Sequence, residues 1–141
     1  MSASEVRQAG CVLIDGVAVL IEGASGTGKS ALALALIDRG AVLVGDDGVT
    51  LHRREGRIWA SPPPHTAGLI EIRNVGIARL PAGEGPVGLV LRLDAAAPRY
   101  AEEPEADTLL GVSVPCLTLF PDAAVLPLRA EWAVRLYAQQ A

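Results

Sequence analysis

The chain has 141 residues, of which 50% are hydrophobic, 20% charged and only 4% aromatic. That composition excludes a disordered or fibrous protein and predicts one aliphatic-cored domain over residues 1–141. The formal net charge of −4, without any dense Lys/Arg cluster, argues against nucleic acid as a partner.

The first residues, Met1-Ser2-Ala3-Ser4-Glu5, form no charged leader before an apolar core, and no apolar run approaches the ~20 residues of a membrane span. A cytoplasmic protein with no membrane partner is expected. Residues 11–14 and 17–21 are apolar runs joined by Asp15-Gly16, a strong two-residue hairpin signal. The second strand is therefore expected to pair antiparallel, unlike the strands of parallel mononucleotide-binding folds.

That strand runs into Gly23-Ala24-Ser25-Gly26-Thr27-Gly28-Lys29-Ser30, which fits the phosphate-loop pattern G-x-x-x-x-G-K-[ST] at every fixed position. The glycines allow left-handed backbone and bring N–H groups against phosphate oxygens. Lys29 supplies charge to the β/γ-phosphates, and the Ser30 hydroxyl suits Mg²⁺. Residues 31–39 are rich in helix formers and stop at Gly40, so a helix N-terminus with its partial positive charge faces the loop.

Beyond the helix, Ala41-Val42-Leu43-Val44 leads into Gly45-Asp46-Asp47, an apolar strand ending in acids, which is the usual second half of a Mg²⁺-nucleotide site. One carboxylate can hold the metal and the other can accept a proton from an attacking hydroxyl. Residues 49–52 and 57–60 flank Glu55-Gly56 as a second hairpin, with His52-Arg53-Arg54 at its exposed end. Ser61-Pro62-Pro63-Pro64-His65 must be loop, and His65 reads as a loop residue, not a ligand. Strands are expected over 69–73, 76–80, 87–93 and 112–119, with Glu71 and Arg73 sharing a face opposite Ile70 and Ile72.

Residues 95–107, with two prolines and many charges, read as an exposed loop, and the stretch from Pro127 to about Gln140 as a helix with Leu128, Trp132 and Leu136 at four-residue spacing. Cys11 and Cys116 lie in apolar strand-like runs and are expected to be buried, reduced thiols.

Three motifs in this order, Gly23 to Ser30, Leu43-Val44-Gly45-Asp46-Asp47 and Glu71-Ile72-Arg73-Asn74-Val75-Gly76-Ile77, resemble the catalytic C-terminal domain of the HPr kinase/phosphorylase family, in the short alphaproteobacterial form that lacks the separate N-terminal domain. The resemblance implies an α/β fold with a mixed, partly antiparallel sheet, a phosphate-loop helix and a nucleotide site like that of phosphoenolpyruvate carboxykinase. It implies ATP and Mg²⁺ as cofactors, transfer of the γ-phosphoryl group to a serine of the phosphocarrier HPr, phosphorolysis as the reverse activity, and assembly into hexamers. Carried over, Gly23, Ala24, Ser25, Gly26, Thr27, Gly28, Lys29 and Ser30 bind the nucleotide. Lys29, Asp46 and Asp47 are catalytic, with the base left open within the acid pair, and Ser30, Asp47 and Glu71 surround the metal.

The chain departs from the family pattern at Gln8, where a histidine is usual, at Gly48 for arginine, at Asn74 for glycine, and near Arg99-Tyr100, where an arginine is usual. Two alternatives therefore stand beside the kinase: a nucleotide-binding regulator with weak or lost catalysis, and a phosphate-loop kinase for a small hydroxyl substrate.

Overall fold

The computed structural model describes residues 4–100 and 103–139. In chain order its elements are β1 (Ser4–Arg7), β2 (Gly10–Ile14), β3 (Val17–Gly23), α1 (Lys29–Asp38), β4 (Val42–Gly45), β5 (Val49–Arg54) and β6 (Arg57–Ser61). They continue as β7 (Leu69–Ile72), β8 (Gly76–Arg79), β9 (Gly85–Leu93), β10 (Glu105–Leu109), β11 (Val112–Leu119) and α2 (Leu126–Tyr137). Three hairpins turn on pairs of left-handed residues, Asp15-Gly16 (φ 52° and 80°), Glu55-Gly56 (53° and 77°) and Leu110-Gly111 (47° and 80°). This is the turn whose twist matches that of the flanking strands.

The main sheet runs β1-β5-β6-β9-β3-β2-β4, with β11 also on β9 and β10 on β11. β3 is antiparallel to β2, from Gly10↔Ile21 to Ile14↔Val17, and parallel to β9, from Ala18↔Val87 to Gly23↔Leu93. The far edge of β9 is shared: Pro86 and Gly85 pair with β6, and Val90 to Leu93 pair with β11. The sheet is mixed, as expected, and the hairpin before the phosphate loop is one of its antiparallel pairs.

β3 is covered on both faces, and Val17 to Ile21 are each at most 4% exposed. Val19, Ile21, Leu89, Leu91 and Leu93 join one core with Leu32, Ala33 and Leu36 of α1 and Leu126, Ala130, Ala133 and Val134 of α2. Ala18, Leu20 and Val90 join the second, with Leu51, Ile58, Val114 and Cys116. A register shift between Ala18 and Val19 skips Gly88, so Val87 and Leu89 face opposite cores. A side chain at Gly88 would collide with Val17 Cγ1, and its carbonyl accepts the Gln139 N–H at 3.0 Å.

Several expectations shift in detail. The expected exposed loop over 95–107 gives way at Glu105 to β10; residues 101 and 102 lie outside the described residues, as do Met1, Ser2 and Ala3. β1 and β10 carry too many charges to read as strands, and each is held at a sheet edge by one neighbour. α2 ends at Tyr137, Gln140 lying outside the described residues. Its four-residue apolar stripe points outward: Leu128, Trp132 and Leu136 are 44%, 56% and 65% exposed. The small-residue face of α2 packs inward because Ala130 and Ala133 allow close approach.

β7 and β8 form a separate two-stranded sheet, with Ile70 fully buried in the first core. The cysteines are free and buried. Burial pushes the Cys11 thiol far up and Cys116 up to about 11, the nearby Arg92 opposing the second shift.

Candidate functional site

β3 delivers Gly23 at φ 154°, where an added Cβ would sit 2.7 Å from Thr27 Oγ1 and 2.9 Å from the Leu93 carbonyl oxygen. Only glycine fits. Gly26 and Gly28 are left-handed, at φ 84° and 94°, and the Thr27 N–H and hydroxyl both donate to the Ala24 carbonyl, at 3.2 and 2.8 Å, closing the loop on itself.

Helix α1 begins at once, with Gly28 at its N-cap, no side-chain cap and no acid in the first turn. Its leading N–H groups and positive dipole end are thus left to an external anion. The Lys29 ammonium donates to the Gly23 and Ala24 carbonyls, at 2.7 and 3.3 Å, which holds its charge over the loop. Ala24, Ser25 and Gly26 are exposed.

β4 carries the acid pair to the same end of the sheet. Gly45 is required there, because any side chain would collide with the Gly48 carbonyl oxygen. Asp46 Oδ1 accepts the Ser30 hydroxyl at 2.6 Å, and Asp46 Oδ2 accepts the Glu71 backbone N–H at 2.9 Å. One carboxylate thereby joins the phosphate loop, β4 and the β7–β8 hairpin.

Asp47 takes φ 58° and is exposed. The Ser30 hydroxyl is bonded to the first acid of the pair, Asp46. Glu71 comes to this site through its backbone, with its side chain exposed.

A hydroxyl and a carboxylate in contact suit Mg²⁺, a hard cation that uses one or two protein carboxylates together with phosphates and water. Among the described residues no group of three or more His, Cys, Asp or Glu side chains could hold a metal. The Ser30 hydroxyl and the Asp46 carboxylate are oxygen donors of the kind such a cation takes.

Gln8 is exposed in the bend after β1, and His65 is exposed in a turn. Asn74 sits at φ 68° in the β7–β8 turn, a conformation asparagine adopts more readily than most residues. Arg99 lies 5.6 Å from the Tyr100 ring, both exposed.

A charge network beside the loop was not anticipated. Arg7 Nε bonds Glu22 Oε2 at 2.5 Å, Arg92 lies 3.7 Å from Glu22 Oε1, and Asp107 receives Arg7 at 3.3 Å and Arg92 at 3.1 Å. Burial alone would lower the Arg7 pKa, but the hydrogen bond and charge of Glu22, with Asp107, raise it overall. The available signal was Glu22, an acid closing an otherwise apolar strand. Next to it, Glu22, Gly23, Ala24, Thr27, Arg92, Leu93, Asp94 and Ala95 line a cavity of ≈ 380 Å³.

The sequence model described as "HPr Serine kinase C-terminal domain" matches residues 1–83, a span that contains Gly23 to Ser30, Asp46, Asp47 and Glu71. The HPr kinase/phosphorylase of Clostridium tetani is 40% identical over 102 residues, 65% of this chain and 33% of that protein. That of Streptococcus thermophilus is 49% identical over 69 residues, 47% of this chain and 22% of that protein. The chain thus matches a third or less of these relatives' length. The solved Hpr(Ser) kinase/phosphatase of Coxiella burnetii superimposes with a TM-score of 0.83 at 32% identity, covering 93% of this chain and 88% of that one.

Proposed function

The chain belongs to the HPr serine kinase C-terminal domain family, and from that premise we propose that it is a Mg·ATP-dependent protein-serine kinase/phosphorylase acting on the phosphocarrier HPr in the cytoplasm. The observation that carries this reading is the 2.6 Å contact of Ser30 with Asp46, which brings the phosphate loop and the acid pair into one site.

Ser30 and Asp46 would hold Mg²⁺, which when bound neutralises charge on the β- and γ-phosphates. Lys29 and the amides at the start of α1 bind phosphate oxygens and meet the charge that develops on the equatorial oxygens. Asp47, exposed and in no ion pair among the described residues, takes the proton of the attacking seryl hydroxyl. The seryl oxygen bonds to the γ-phosphorus, the bond to the β,γ-bridging oxygen breaks, and ADP leaves. Glu71 is tethered to Asp46 by its N–H, and its side chain is exposed.

The test is transfer from ATP radiolabelled on its γ-phosphate. Label should reach a serine of HPr and vanish in Asp47→Asn, while ATP binding without transfer would refute the reading. Gln8 and Gly48 favour a second reading, a nucleotide-binding regulator with weak catalysis; for it, Gln8→His should raise a low activity, and an unchanged rate counts against it. Hexamer formation, which the family resemblance implies, is checked by light scattering.

A further inference from the structure

We infer that the cavity on the β9 side of the phosphate loop receives the nucleoside end of the bound nucleotide, so that its triphosphate crosses the loop and ends at Asp46. The inference rests on the nucleotide-binding reading and adds an orientation and a second binding region to it.

Sheet order sets the direction. β3 ends in the loop, with β9 on one side and β2, then β4, on the other. β3, β9 and β11 run parallel, so Glu22-Gly23, Arg92-Leu93 and Leu119 reach the same carboxyl end, where α/β sheets bind ligands. Ser30 and Asp46 mark the β4 side. β9 is three strand spacings from β4, about 14 Å across the sheet. A phosphate chain held by the loop with its reacting end at Asp46 has its other end pointing toward β9, where the cavity opens.

The cavity suits a nucleoside in size and charge. At ≈ 380 Å³ it falls in the range of small-molecule pockets. Two carboxylates line it, Glu22 and Asp94, and the charge of its one cation, Arg92, is met by Glu22 and Asp107. Phosphate is disfavoured in such surroundings and favoured at Lys29 and the α1 N-terminus. Ribose hydroxyls and base amino groups are donors that carboxylates accept. The planar Arg92 guanidinium, 39% exposed, offers a face for a base to stack on, and Ala24, Leu93 and Ala95 supply apolar wall.

Ala95 is exposed at the cavity edge, so Ala95→Trp fills the space without disturbing either core, and Glu84→Trp, exposed just before β9 and outside the cavity lining, is the size-matched control. Calorimetric titration is done with Mg·ATP and, separately, with Mg·tripolyphosphate, which has the phosphates and no nucleoside. Ala95→Trp should weaken ATP binding by about tenfold or more and leave tripolyphosphate within about twofold, with Glu84→Trp unchanged for both. Equal losses for both ligands, or no loss for ATP, would overturn the nucleoside assignment alone. A wild-type protein that binds neither ligand would overturn the nucleotide reading and this inference with it.

Discussion

Replacing Asp46 by alanine should loosen three elements at once. The carboxylate accepts two hydrogen bonds, from the Ser30 hydroxyl at 2.6 Å and from the Glu71 N–H at 2.9 Å. Bonds to a charged acceptor contribute about 1.5–3 kcal/mol each, and both lie near the surface, so the lower end applies and Asp46→Ala should cost roughly 2–4 kcal/mol. Urea unfolding measures this total.

A Ser30→Ala/Asp46→Ala double-mutant cycle isolates the first bond, with a coupling of roughly 1–2 kcal/mol expected. The second bond has its own reporter. Exchange of the Glu71 amide hydrogen should accelerate about tenfold per 1.4 kcal/mol lost there, while amides in the middle of β3 follow only the change in global stability. A loss below about 0.5 kcal/mol, additive single variants and an unchanged Glu71 amide would refute Asp46 as the joint between loop and hairpin.

Gly23→Ala should abolish tight Mg·ATP binding, seen by calorimetry, because its Cβ meets Thr27 Oγ1 at 2.7 Å and the Leu93 carbonyl at 2.9 Å; wild-type affinity would contradict the loop geometry. Lys29→Met should weaken tripolyphosphate binding by about tenfold or more while leaving the urea midpoint nearly unchanged, since Lys29 bonds only two loop carbonyls. Burial raises the Cys116 thiol from 9.0 to about 11, so its protonated form contributes stability that is full below pH 9 and lost as pH rises through 11. Wild type should therefore lose stability over pH 9–11 more steeply than Cys116→Ala, and parallel pH profiles would contradict a buried neutral thiol.

The parts of this protein legible in sequence are those written in local chemistry. Gly26 and Gly28 had to be glycines for the left-handed loop, Asp15-Gly16 and Glu55-Gly56 named their hairpins, and β3 read as apolar because both its faces are covered. Features set by sheet order were hidden. Arg7, Glu22, Arg92 and Asp107 come from four strands, up to 100 residues apart in the chain for Arg7 and Asp107, and no spacing announces their meeting.

Adjacent acids were ambiguous for a different reason. Asp46 and Asp47 are chemically alike, and only the folded backbone shows that Asp46 is the one bonded to Ser30. On α2 the apolar residues at four-residue spacing, Leu128, Trp132 and Leu136, face outward, whereas Leu126, Ala130, Ala133 and Val134 make the buried side. β10 escaped because an edge strand can carry Glu105 and Asp107 without burying either fully.

Phosphoryl transfer from this site to a protein serine is read by mass spectrometry of HPr after incubation with the protein, ATP and Mg²⁺. A single phosphoryl group on one seryl residue is expected, absent when Asp47→Asn replaces the wild type. HPr left unmodified by a protein that demonstrably binds Mg·ATP would contradict it.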